Sequence, residues 1–381
     1  MRAASGGEPP ASGRLDAVFW LLAVLFALWF AHHHVFATER NGNADLPGLI
    51  DGTADPPYRY RFLMPLLLRG MHDAAAAAGL PVETETLAFA ADAVSALALV
   101  AAFAGLVGRY VASRPFARLA GLSLMLPLVW HFVAPDRLNP YYPWDIPQIL
   151  AFALGLRCLA IDRLAGFHAV FVAATFNRET SIVLTLLLVT GWAGRRPWRS
   201  LIGHAALQAA AWLAIRAGAI LWLGGQRGVT SLEPGIGDIP QNDLFWATGW
   251  LNLDHFVREP WDLIELASIF VFGLIPLALF ATRVPCAMVR RMLLVVPAFL
   301  AMTWLVGLVL EFRIYGEMIP LVWLALVLLA AKSLGLPFRD HGNASGEPAG
   351  RLRATVFSPI LGVNPEVLQR AQRGLAPPRS P

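Results

Sequence analysis

Long uninterrupted apolar runs constrain this chain more than any other feature. In order they cover about 16–36, 86–108, 117–134, 146–161, 165–176, 180–193, 200–223, 262–282, 288–310 and 318–335. Several reach the roughly 20 residues that an α-helix needs to cross a hydrocarbon core. The residues are 57% hydrophobic and 15% charged, whereas soluble domains carry about 25% charged residues. Together these predict an all-α, polytopic transmembrane helical bundle of about ten spans. The fifth and sixth runs are too short to cross alone at about 1.5 Å per residue. They predict a short helical hairpin, with Asn177, Arg178 and Glu179 at its tip.

Charge placement orients the bundle. The short connections "GRYVASRPFAR", "RCLAIDR", "GRRPWR" and "RVPCAMVRR" concentrate arginine, with Asp162 as their one acid. The alternate connections hold nearly all the other acids. Arginine-dense loops stay cytoplasmic, so both termini are expected in the cytoplasm and the acid-rich loops outside, in a bacterial inner (cytoplasmic) membrane. Outer loops are then expected at 37–85, 135–145, 224–261 and 311–317. The bundle fills 16–335, after a cytoplasmic tail at 1–15. Residues 336–381, rich in Pro, Gly, Ala and Arg, read as a disordered cytoplasmic tail. The first apolar run is long and rich in Trp and Phe, which favours a retained span over a cleaved signal peptide. The net charge of +4 comes from arginines at segment edges, not from one basic stripe, so nucleic acid is not an expected partner. The two cysteines, Cys158 and Cys286, show no metal or disulfide spacing.

Ionised groups in or near a bilayer are costly and normally mark partners or sites. The first outer loop carries Glu39, Asp45, Asp51 and Asp55. "PPYRYR" follows, with Arg59 and Arg61, and then an interfacial helix containing Arg69, His72 and Asp73. Asp145 in "NPYYPWDIPQIL" reads as a helix cap, with Gln148 three residues on. The triplet Asn177-Arg178-Glu179 reads either as a self-paired tip or as part of a buried site. "EFRIYGEMIPL" packs Glu311, Arg313, Tyr315 and Glu317 into one turn. Asp92 and Arg216 are expected to pair within the bundle. His32, His33 and His34 splay by about 100° each on a helix, so they do not share one metal; they read as interfacial, with His32 or His34 a weak candidate.

These segments resemble the GT-C superfamily of polytopic membrane glycosyltransferases, which use polyprenyl-phosphate-linked sugars. "ADPPYRYRFLMPLLL" resembles the start of the interfacial helix in mannosyltransferase-like members, and "YPWDIPQILAFALGLRCLA" the second outer loop. "FVAATFNRETSIVLTLLL" resembles the short paired helices, and "EFRIYGEMIPLVWLALVLL" the Arg/Tyr turn before a late span. The likeness is topological and covers about residues 16–335. Many members carry two neighbouring acids just after the first span; here the acids are spread out.

The resemblance implies inverting transfer of a sugar from a lipid-phosphate donor to an envelope glycan, lipid or protein acceptor on the outer face. A first-loop carboxylate would take the acceptor proton; Asp55 leads, followed by Asp51 and Asp45. Arg59, Arg61, Arg178 and Arg313 would hold the donor phosphate, supported by Asp145, Glu179, Glu311 and Tyr315. A divalent metal would be compatible, though no residues single out its site. Two other classes compete: a transporter or lipid flippase, and a non-catalytic assembly protein. A transporter would place its groups about a midplane site, whereas here the acids lie on one side. The discriminating expectation is that Asp55, Asp145, Arg178 and Arg313 line one outward-open cavity.

Overall fold

The computed structural model describes residues 11–38, 44–54, 58–134, 140–224, 241–307 and 309–339. All regular structure among them is helical. The first stretch runs α1 (Ala11–Phe36), α2 (Leu46–Asp51), α3 (Leu63–Ala77), α4 (Thr84–Tyr110), α5 (Arg114–Ser123) and α6 (Met125–Phe132). The middle comprises α7 (Asp145–Ala160), α8 (Leu164–Asn177), α9 (Val183–Trp192), α10 (Trp198–Gly224) and α11 (Gln241–Arg258). The last helices are α12 (Asp262–Ala267), α13 (Leu274–Phe280), α14 (Ala287–Met292), α15 (Val295–Val306) and α16 (Ile319–Ser333). Short 3-10 turns at Tyr58–Tyr60, Glu179–Ile182 and Phe312–Met318 link them.

Among the described residues, five helical stretches are long and apolar enough to cross a membrane: Gly13–Phe36, Thr84–Tyr110, Trp198–Trp222, Ala287–Val306 and Phe312–Ser333. Leu164–Asn177, Glu179–Trp192 and Leu274–Arg283 are apolar but shorter. Each apolar run read from the sequence falls on helix, though not always on one unbroken helix. The run at 117–134 divides at Leu124 into α5 and α6. The run at 262–282 divides into α12 and α13, separated by Phe270, Val271 and Phe272, all at positive φ. Three left-handed residues in a row cannot continue a right-handed helix.

The bundle is built around α4, α7 and α16, whose inward faces hold Leu99, Phe103, Phe152, Leu156, Leu321 and Leu328, all nearly inaccessible. The stretch ending in α16 is the most enclosed, with 78% of its apolar window buried, whereas only 11% of that in α10 is. α10 therefore lies at the periphery, its apolar residues facing outward. Small residues set the closest approach: a Cβ on Gly121 of α5 would lie 2.8 Å from Ala104 Cβ and 3.0 Å from the Val100 carbonyl of α4.

The polar connections sort to the two ends. At one end Arg114 and Arg118 pair with Asp16, Arg196 with Asp162, and Arg291 donates to the Gly191 carbonyl. Residues 337–339, assigned from sequence to a disordered tail, return to this end. Ala112 N–H donates to Pro337 O at 2.9 Å and Arg339 N–H to Tyr110 O at 2.8 Å. The free carbonyls at the end of α4 make that pairing favourable. The rest of the tail expected at 336–381, from 340 onward, lies outside the described residues. At the other end, among the described residues, Asp145, Glu179, Glu311 and Glu317 come together with arginines.

Candidate functional site

The residues Asn177, Arg178 and Glu179 show how local geometry builds the site. α8 stops at Asn177, Arg178 is extended, and a 3-10 turn begins at Glu179. The three side chains therefore leave in different directions. Asn177 Nδ2 donates to Trp144 O at 2.9 Å and to Gln148 Oε1 at 3.0 Å. Arg178 Nη1 lies 3.4 Å from Asp145 Oδ1 and 3.1 Å from Glu317 Oε1. Glu179 takes Arg61, with Nε to Oε2 at 3.1 Å, and lies 3.7 Å from Arg216 Nη2. The self-paired tip is thus corrected: Arg178 and Glu179 each serve a different set of partners.

The remaining contacts close the cluster. Arg313 lies 3.8 Å from Asp145 Oδ2, donates to Glu311 through Nε at 2.7 Å, and has its guanidinium 3.9 Å from the Tyr142 ring centre. Thr180 Oγ1 donates to Glu317 Oε1 at 2.7 Å. Arg216 Nη1 donates to Tyr60 O at 2.9 Å, and Trp212 Nε1 to Glu179 O at 2.8 Å. Arg61 lies 5.2 Å from the Trp144 ring centre and 5.8 Å from that of Tyr58. The Tyr58, Tyr142 and Trp144 rings stack on one another. Five elements distant in sequence thus meet: the 58–61 turn, the start of α7, the α8–α9 turn, α10 and the 312–318 turn.

Burial makes these contacts consequential. Asp145 and Glu317 are each 1% exposed, and Arg59, Arg61, Arg178 and Arg313 are also buried. Charges leave water only when paired and hydrogen-bonded. Burial alone would raise the Glu179 carboxyl; the guanidinium groups of Arg61, Arg216 and Arg178 outweigh it and hold the group well below the usual carboxylate range. Several buried polar atoms here lack a hydrogen bond: Trp144 Nε1, Asp145 Oδ2, Gln148 Nε2, Arg178 Nε, Arg313 Nη1 and Glu317 Oε2. Such atoms are rare in native proteins. Arg59 stands apart: its guanidinium packs on the Tyr60 ring, Nη2 reaches Tyr60 Oη at 3.4 Å, and Nε is buried without a partner.

Other expected residues land differently. Asp45 precedes α2 and Asp51 is its last residue; both are exposed, and neither pairs with an arginine among the described residues. Asp55 lies outside the described residues. Asp145 does not cap α7: it is the first helical residue, the preceding Trp144 makes no side-chain cap, and the carboxylate turns to Arg178 and Arg313. Tyr315 anchors its own turn, donating to Val309 O at 3.0 Å. Asp92 and Arg216 do not pair. Asp92 Oδ2 lies 2.6 Å from His34 Nδ1, both groups 1% exposed, which also moves His34 from the interface to the interior. Arg216 instead joins Glu179. Its position in an apolar helix was the sequence signal that it needed a partner, but not which one.

Most side chains of the cluster are buried, with Glu179 the most accessible of its charged groups at 31%. One concavity of the described surface lies away from it, between Leu22, Phe26, Trp29 and Met125, and another between His72, Leu80 and Glu83. Among the described residues no group of three or more His, Cys, Asp or Glu converges as a metal site requires. No protein-family profile, curated protein or solved structure matches the chain.

Proposed function

We propose that this chain is an integral membrane glycosyltransferase of about ten passes, both termini in the cytoplasm of a bacterial cell. It moves a sugar from a polyprenyl-phosphate donor to an acceptor on the outer face. The observation that carries this reading is the convergence of Arg61, Arg178, Arg216 and Arg313 from four separate elements at one end of an apolar bundle. A planar guanidinium matches phosphate oxygens bidentately and stabilises the charge that develops as they depart. Asp55, next in sequence to the arginine turn, takes the acceptor proton. Asp145, Glu311 and Glu317 hold Arg178 and Arg313 in place rather than acting as bases, since each already faces a guanidinium.

A second reading, a non-catalytic membrane assembly protein, is favoured by the dense ion pairing of the cluster. There the arginines would only lock helices together. Sugar transfer in membranes expressing the chain separates the two, assayed with a panel of radiolabelled polyprenyl-phosphate sugars. Asp55→Asn and Arg178→Ala are run at matched expression. Transfer that both variants abolish supports the enzyme; no transfer from folded wild-type protein by any donor refutes it.

A further inference from the structure

The end of the bundle opposite the candidate site carries positive charge that its acids do not match. Among the described residues there, Asp16 takes Arg114 and Arg118, and Asp162 takes Arg196. Arg195, Arg290 and Arg291 are held by neutral groups instead. Arg291 of α14 donates through Nε to Thr190 O at 3.3 Å and through Nη2 to Gly191 O at 3.0 Å, carbonyls that α9 leaves free at its end. Arg290 Nη1 donates to Val284 O at 3.1 Å. Gly194, at φ 75°, turns the chain out of α9, a conformation that glycine adopts without strain. Arg195 then reaches back, with Nη1 3.8 Å from Met288 Sδ. A Cβ on Gly191 would lie 3.5 Å from Met288 Cγ, so Arg195 and Arg291 come to the same place from two elements. Carbonyl and thioether contacts fix a guanidinium without neutralising it. Both Arg195 and Arg290 repel Arg291, and arginine does not shed its proton to relieve this. Arg291 is half-buried while Arg195 and Arg290 are exposed, so an incoming anion has access.

We propose that Arg195, Arg290 and Arg291 hold the phosphate of an anionic phospholipid from the leaflet that covers this end, with its acyl chains lying along the outer face of α10. Such binding needs the membrane setting but not the sugar chemistry proposed above. Position favours a lipid over a soluble anion. The apolar stretch Thr84–Tyr110 ends here, and Trp198–Trp222 and Ala287–Val306 begin here, which sets the level of the head groups. Trp198 stands three residues after Arg195, and Ile202 one helical turn further; both are more than half exposed. Residues four apart share a helix face. A strip open to lipid therefore runs inward from the arginines, headed by a tryptophan, a residue suited to the membrane interface. Charge selects the class of head group. A phosphodiester with an uncharged head keeps its single negative charge, whereas a choline head would bring a further cation to three others. Each basic residue near a membrane surface raises the affinity for anionic lipid by about fivefold.

The test uses the full chain in a neutral detergent. Phosphatidylglycerol and phosphatidylcholine with the same acyl chains are the probes, and bound lipid is counted by native mass spectrometry. With three basic residues contributing, phosphatidylglycerol is expected to bind at least about tenfold more tightly. Arg195→Gln should weaken its binding about fivefold and leave phosphatidylcholine unchanged. The Arg195 side chain touches a thioether and no carboxylate among the described residues, so thermal unfolding of this variant should match that of wild type. Arg195→Lys, which keeps the charge, should retain most of the affinity. Arg163→Gln is the control: Arg163 is exposed at the same end but outside the group, and its loss should change nothing. Trp198→Ala should weaken both lipids alike. Equal binding of the two lipids overturns the proposal. So does a fall for Arg163→Gln equal to that for Arg195→Gln, since the attraction would then belong to the whole basic end. Inorganic phosphate that displaces phosphatidylglycerol at comparable concentration would assign the arginines to a soluble anion and overturn the lipid assignment.

Discussion

Arg178→Met should destabilise the bundle by about 3 kcal/mol or more. The guanidinium touches two carboxylates, Asp145 at 3.4 Å and Glu317 at 3.1 Å, each 1% exposed. Removing one partner of a buried pair costs about 3–5 kcal/mol, because the remaining charge stays out of water. Two contacts soften the loss: Arg313 remains 3.8 Å from Asp145, and the Thr180 hydroxyl still donates to Glu317. That places the expectation near the lower end of the range. Met fills most of the same space, so the change reports charge more than volume. Adding Glu317→Gln to the Arg178→Met protein removes the orphaned charge and should recover about 1–2 kcal/mol, within the coupling typical of contacting residues. The assay is reversible unfolding in mixed micelles titrated with a denaturing detergent, on all members of the double-mutant cycle. A loss below about 1 kcal/mol for Arg178→Met would match an exposed ion pair and refute the buried-cluster argument. So would additive single and double variants.

Two further expectations concern acid and packing. Because Glu179 is held below the ordinary carboxylate range, its stabilising contribution is complete above about pH 4.3, the usual glutamate value. It drains as pH falls below that, where the unfolded carboxylate takes a proton and the folded one does not. Wild-type protein should therefore lose stability between about pH 5 and 3 more steeply than Glu179→Gln; equal slopes in denaturation titrations would show the depression to be absent. Gly121→Ala should cost about 1–3 kcal/mol by overpacking, since its Cβ would meet both Ala104 Cβ and the Val100 carbonyl, and backbone cannot swing aside. Unchanged thermal unfolding of that variant would mean that α4 and α5 do not approach so closely.

The apolar runs and the grouping of acids and arginines into alternate connections were legible from residue order, because burial in lipid demands long helices and helix length is a local quantity. The arrival of Asp145, Arg178 and Arg313 in one cluster followed from the same logic: intramembrane or interfacial charges must find partners. The identity of each partner did not. Asp92 and Arg216 both needed a counter-charge, and residue order made them plausible mates. Only the packing of α1 against α4 gave Asp92 to His34, and only the approach of α10 to the α8–α9 turn gave Arg216 to Glu179. The Asp145 cap failed for a related reason. Its sequence fits a cap, but two guanidinium groups arriving from remote elements compete for the same oxygens, and charge-assisted contacts are stronger than neutral ones. Residue order alone thus determined which side chains could not remain unpaired. The tertiary structure decided how they were shared, because ion pairing depends on distances set by helices far apart in the chain.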